Sequence, residues 1–228
     1  MYKTYNVKKT AEYFLSGIFA GVLIGISASV YLVCPAIAGS DIVREVLFSF
    51  GLLTIFHLKY NLYTGKAGFI FKEEFTGFKG TAALFSILIA NFAGIIIWSF
   101  IIGFTKYSQI IIAGAQSICE ARTGMPSLNL FMSAIGCGIM MNIAARTKEK
   151  SVLTVLCVVI FLTLGFSHCI ADFFYYTVTG FKIAYIRTVF ISVFGNLVGG
   201  NLLRFWFLDN SKSLDNSENL GKNNHEDN

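Results

Sequence analysis

The sequence predicts an all-α membrane protein of six transmembrane helices, arranged as an inverted three-plus-three repeat with broken second and fifth helices. Three observations predict it. Of 228 residues, 55% are hydrophobic and only 14% charged, with a mean hydropathy of +0.65. A soluble chain of this length needs more charge to cover its surface, so the apolar excess faces lipid. The apolar residues fall into six runs, and the second and fifth are interrupted by polar residues. Those two are the middle members of successive triplets, the layout of an inverted repeat whose discontinuous helices meet near the bilayer midplane. Irregular backbone at that depth is tolerated only where it is buried or lines a cavity.

The basic opening MYKTYNVKKT precedes the first run, residues 11–38. This run exceeds the ~20 residues of a full span. It is too long for a signal-peptide core and lacks a cleavage site. Gly17, Gly21 and Gly25 recur along it every four residues, a smooth stripe suited to close helix packing. The second run starts at Ile42 and is apolar over 46–58, where KYNLYTGK interrupts it; a short AGFIF piece follows before KEEF. The third run, 81–104, is uninterrupted, and a more polar loop leads from it to Met125 and Pro126. The fourth, 128–145, ends at RTKEK. The fifth is apolar over 152–166, where SHCIAD breaks it before FFYYTVTGF. The sixth covers 186–208. Its FGNLVGGNLL echoes ANFAGIIIW of the third.

The remainder, SKSLDNSENLGKNNHEDN, is polar and poor in apolar residues, the composition of a disordered tail. The expected organisation is therefore a cytoplasmic segment 1–10, one transmembrane channel domain 11–208 and a cytoplasmic tail 209–228. The charges set the orientation. With the N-terminus inside, Lys3, Lys8, Lys9, Lys72, Lys79, Arg146, Lys148, Lys150 and Arg204 face inward. Arg44, Lys106, Arg122, Lys182 and Arg187 face outward. This bias places both termini in the cytoplasm of a multi-pass cell-membrane protein, as an even number of spans requires. The formal charge of +5 reads as a set of topology determinants beside anionic lipid, not as a nucleic-acid patch.

No GxxxxGK[ST], GxGxxG, HExxH or nucleophile elbow occurs. The expectation is a non-enzyme without cofactor or metal, in which any transport is passive or ion-coupled. The five cysteines are odd in number, form no CxxC and lie mostly in apolar runs, as helix-packing residues do.

The polar residues in the interruptions are the candidates for chemistry. His168 stands in the second, in GFSHCIADFF. An ionisable group at that depth needs a partner or a water-lined cavity, and a neutral imidazole can donate a hydrogen bond or a proton to a passing anion. The bland alternative is a buried histidine bonded to a helix carbonyl. Asp172, four residues on, either orients that imidazole or caps the resumed helix, and capping suits its place better. In the first interruption, Thr64 offers a hydroxyl to a solute and Gly65 permits an unusual turn. Lys59, between His57 and Tyr60, snorkels to an interface, pairs with an acid or draws anions into a vestibule. Arg122, in the predicted loop, adds positive potential at the outer mouth or marks a solvated face.

NLYTGKAG and GFSHCIADFF resemble the two signatures of the formate/nitrite transporter family. ANFAG and FGNLVGG are similar to that family's paired Asn-Gly helix motifs. The likeness covers about residues 10–208. It implies an aquaporin-like protomer in a homopentamer, each protomer with its own pore for a small monovalent anion such as formate, nitrite or hydrosulfide, often moved with a proton. By motif position, Thr64 matches the re-entrant threonine and His168 the central histidine. Leu52, Leu62, Tyr63 and Phe161 fall at the bulky constrictions, and Arg122 falls where a lysine is usual. Ser167 replaces the usual glutamate, Asp172 the usual asparagine, and Gly138 a frequent fourth-helix asparagine; Lys59 has no expected counterpart. Two other readings stand beside this one. An aquaporin-type channel for neutral solutes would use His168 only to shape the pore, yet neither interruption carries Asn-Pro-Ala. A non-transporting scaffold leaves two polar interruptions at matched depth without purpose.

Overall fold

The computed structural model describes residues 7–38, 41–70 and 77–203. These form α1 (Val7–Ala38), α2 (Asp41–His57), α3 (Tyr63–Ala67), α4 (Gly77–Ile102), α5 (Ser108–Gly124), α6 (Ser127–Arg146), α7 (Ser151–Thr163), α8 (Cys169–Val178) and α9 (Ala184–Leu202), with no strand among them. Among the described residues, three stretches are long and apolar enough to cross a membrane alone: Ala11–Pro35, Gly80–Ile102 and Ser127–Arg146. The expected tail 209–228, residues 1–6 and the charged KEEF lie outside the described residues.

Large apolar side chains such as Phe19, Phe85, Phe100, Phe190 and Phe194 are exposed, whereas Asn91, Asn196, Ser167, His168 and Asp172 are buried. That inverted distribution is the one a lipid-embedded bundle takes, because only protein satisfies polar groups there.

Helix α1 packs on α4 and α2, and α6 packs on α9 and α7; α2 and α7 lie against each other. The short helices α3 and α8 continue α2 and α7 after irregular connections. The second run therefore resumes as a helix at Tyr63 and the fifth at Cys169, so Thr64, Gly65 and Asp172 belong to resumed helices rather than to the interruptions.

Both interruptions begin in the same way. Tyr60 N–H donates to Ile55 O at 2.9 Å across Lys59, whose φ is 58°, and Phe166 N–H donates to Phe161 O at 2.9 Å across Gly165, whose φ is 63°. This is the six-to-one closure that ends a helix on a left-handed residue.

Both interruptions are also held in the same way. Asn91 on α4 accepts from Tyr63 N–H at 2.8 Å and donates to Asn61 O at 2.9 Å and Gly17 O at 2.8 Å. Asn196 on α9 accepts from Cys169 N–H at 2.9 Å and donates to Ser167 O and Ala134 O, both at 2.8 Å. Each amide thus serves the first N–H of the resumed helix, a carbonyl two residues before it and the helix packed alongside. Backbone groups that no helix ladder reaches are satisfied by one side chain, whose removal leaves buried groups unpaired at about 1–3 kcal/mol each. The paired helices come close enough for this because Gly94 and Gly199 lack a Cβ, which would collide with the carbonyl oxygens of Ile18 and Ile135.

The expected polar loop before Met125 is largely helix α5. Its buried residues Ile111, Ala115 and Cys119 recur every four positions, a narrow apolar stripe. Gln116, Ser117 and Glu120 occupy the exposed side and lower the mean hydropathy that suggested a loop.

Candidate functional site

His168 ends the second interruption and is itself the N-cap of α8: Nδ1 accepts from Ala171 N–H at 3.2 Å. A nitrogen that accepts carries no proton, so the proton of the neutral ring sits on Nε2. Nε2 lies 2.8 Å from Thr64 Oγ1, in the first turn of α3. The imidazole therefore donates to the threonine and joins the beginnings of the two resumed helices. Both residues are only 2% exposed. Thr64 keeps its own hydroxyl proton to offer to another acceptor.

A file of rings leads to this pair. The Phe161 ring stacks on the imidazole with centroids 5.8 Å apart, Phe48 stands edge-on to Phe161 at 6.0 Å, and Tyr31 edge-on to Phe48 at 6.1 Å. The Arg44 guanidinium covers Tyr31 at 4.5 Å, within the range of a cation–π contact. Leu52, one turn along α2 from Phe48, is buried, as are Leu62 and Tyr63, which precede Thr64. Tyr63 Oη donates to Val193 O at 3.2 Å.

Asp172 does not cap α8, because His168 does. Its carboxylate instead accepts a short hydrogen bond from Ser167 Oγ and pairs with Arg122 Nε at 3.4 Å. Ser167 Oγ also lies 2.7 Å from Ser192 Oγ, and Ser167 N–H donates to Ser133 Oγ at 3.0 Å. Arg122, in the last turn of α5 rather than in a loop, donates from its other nitrogens to Gly165 O at 2.8 Å and Phe166 O at 3.0 Å. One guanidinium thus satisfies two carbonyls of the second interruption and neutralises the acid beyond it. Its side chain is only 11% exposed, which sets aside the solvated-face reading.

Lys59 lines a cavity of about 570 Å³ at the first interruption, together with Lys66, Arg146 and Lys148. Leu62 and Gly65 form its wall next to Thr64. Thr64, His168 and Phe161 are thus brought together, Arg122 and Asp172 form a second group around Ser167, and Lys59 stands apart from both at the cavity.

Sequence reasoning missed Phe48, although it lies four residues before Leu52 on the same helix face. It also missed Glu45, a buried acid that accepts from Thr163 Oγ1 at 2.7 Å; a lone glutamate near a segment start gives no signal of burial. Asn91 and Asn196 enter the sequence reading through the echo between runs and the Asn-Gly motifs, without a role of their own. Among the described residues, no three His, Cys, Asp or Glu side chains converge on a metal-sized site.

A family model described as formate/nitrite transporter matches residues 2–217. A solved structure described as a pentameric formate channel with formate bound is 21% identical, with a TM-score of 0.75 over 88% of this chain and 97% of its own. Another, described as an FNT family ion channel, is 17% identical, with a TM-score of 0.72 over 89% of this chain and 92% of its own. At these identities the likeness is one of fold. No curated protein matches.

Proposed function

Because the chain belongs to the formate/nitrite transporter family, a group of membrane channels and transporters rather than enzymes, we propose that it is a passive or proton-coupled channel for a small monovalent weak-acid anion: formate, nitrite or hydrosulfide. The observation that carries this reading is the 2.8 Å contact between His168 Nε2 and Thr64 Oγ1, buried where the two resumed helices begin. On this reading a neutral proton donor and a hydroxyl stand beside whatever crosses. An anion there meets hydrogen-bond donors and, if it takes a proton, crosses as a neutral acid, avoiding the cost of a bare charge at midplane.

Leu52, Leu62, Tyr63 and Phe161 are the bulky groups of two constrictions that strip water and reject larger solutes. Phe48, edge-on to Phe161, joins the same constriction. Lys59 draws anions to the inner mouth, while Arg122 and Asp172 hold the second interruption in shape near the outer one.

The same reading takes the chain as six spans in an aquaporin-like inverted repeat, with both termini cytoplasmic. The matched amide clamps of Asn91 and Asn196 support it. The pentameric assembly of one fold relative and the exposed apolar helix faces support a homopentamer.

The test is purified protein in liposomes, with formate, nitrite, hydrosulfide, chloride and glycerol compared at about pH 5 and about pH 7. Selective, pH-dependent passage of one weak-acid anion is the expected result and names the substrate. Passage of glycerol without anion preference overturns the reading in favour of a neutral-solute channel.

A further inference from the structure

The buried face of α2 carries Glu45, Phe48, Leu52 and Ile55. Glu45 thus stands one turn before Phe48 on the face that supplies the constriction. It lies towards Asp41 and Arg44, the outer side in the proposed orientation, and is only 4% exposed. Its Oε2 accepts from Thr163 Oγ1 at 2.7 Å, and Thr163 follows Phe161 by two residues at the end of α7. The acid is therefore tied to both rings of the constriction, to Phe48 along its own helix and to Phe161 through α7.

A buried carboxylate is costly unless a cation or several donors satisfy it. The chain from Ile18 to Ser40, which includes the outer half of α1 and its connection to α2, carries no charge, and neither does α7. On α2 itself, Arg44 pairs with Asp41 at 3.1 Å and lies 4.5 Å from the Tyr31 ring centroid. Arg122 pairs with Asp172. One hydroxyl serves Glu45, and among the described residues its Oε1 has no hydrogen-bond partner. A tie between α2 and α7 alone would be made as well by a glutamine, without the charge.

A carboxylate accepts hydrogen bonds and donates none. Beside a route for anions it repels those that arrive bare, the more so where the dielectric is low. A weak acid that arrives with its proton donates its O–H to Oε1 instead.

We propose that Glu45 is a specificity-determining residue at the outer approach to the Phe48–Phe161 constriction. It admits a weak acid that carries its proton and turns away anions that cannot hold one. This rests on the channel reading and narrows it to substrates that pass the outer approach as neutral acids.

Liposome uptake of formate and of nitrate, a planar anion of similar size whose acid is fully dissociated, reads the selectivity. The parent chain passes formate and excludes nitrate. Glu45→Gln keeps an oxygen for the Thr163 hydroxyl and loses the charge, so the formate-to-nitrate ratio falls roughly tenfold. Thr163→Val removes the tie between helices and keeps the charge, so it still excludes nitrate. A ratio unchanged in Glu45→Gln, or lowered equally in Thr163→Val, overturns the proposal.

A second measurement needs no variant. Formate that enters as the neutral acid moves no charge. Its uptake by the parent chain, above that of empty liposomes, is therefore indifferent to a membrane potential set by a potassium gradient with valinomycin. Uptake that follows the potential overturns the proposal and leaves an anion channel standing. Passage of glycerol without anion preference removes the channel reading, and the proposal with it.

Discussion

Lys59 and Gly165 occupy the same structural position in the two halves of the molecule. Each follows the last turn of a broken helix, at φ 58° and φ 63°, and across each the very next residue closes back on the helix with an N···O distance of 2.9 Å. Glycine adopts this conformation freely and lysine does not. Replacing Lys59 with glycine therefore stabilises the fold by about 0.5–1 kcal/mol, read as a raised thermal midpoint in detergent. A fall in the midpoint would show that the ammonium has a structural partner worth more than the relieved strain.

Replacing Thr64 with valine keeps the shape of the side chain and removes the acceptor of His168 Nε2–H. A buried donor left unpaired costs about 1–3 kcal/mol, so Thr64→Val lowers thermal stability and anion uptake, while Thr64→Ser restores both. Valine and serine behaving alike would mean that the contact at 2.8 Å is incidental.

Asparagine is a favourable helix N-cap, so His168→Asn preserves the start of α8 while removing the imidazole. If the ring handles the proton that accompanies the anion, the uptake ratio between about pH 5 and about pH 7 falls towards unity in the variant. An unaltered ratio assigns the pH dependence to the free weak acid in solution.

Arg122 and Asp172 form an ion pair with side chains only 11% and 3% exposed. Removing one partner of a buried pair is costly, about 3–5 kcal/mol, whereas removing both costs far less. Arg122→Gln and Asp172→Asn should each lower the thermal midpoint by more than the double variant does. Additive losses would refute the coupling.

Asn91→Leu and Asn196→Leu are expected to damage the fold to a similar degree, because each amide makes three matching hydrogen bonds. Each variant leaves one backbone N–H and one carbonyl of an interruption unpaired, at about 1–3 kcal/mol per group. Monodispersity on size exclusion reads the outcome; survival of either variant with a parental profile contradicts the clamp.

Membrane class, the six apolar runs and the two interruptions were legible because hydropathy acts over long stretches. The histidine was legible because an ionisable residue between apolar ones is conspicuous. Helix α5 was not, since Gln116, Ser117, Glu120 and Arg122 interrupt its apolar residues and pull the window average down. The roles of Arg122 and Asp172 were not legible either. Fifty positions separate them, and only the approach of α5 to α8 brings the guanidinium to the carboxylate. Capping by His168 was hidden by its own prominence: a residue read for pore chemistry also holds the Ala171 N–H in the first turn of α8.

The amide clamps carry a consequence for the order in which the chain assembles during synthesis. Every partner of Asn91 precedes it in sequence, and every partner of Asn196 precedes it too. The first triplet can therefore lock as soon as α4 leaves the ribosome, before any of the second exists. The second locks only with the final helix. The His168–Thr64 bond spans the two and so marks a chain whose halves have both inserted and found each other.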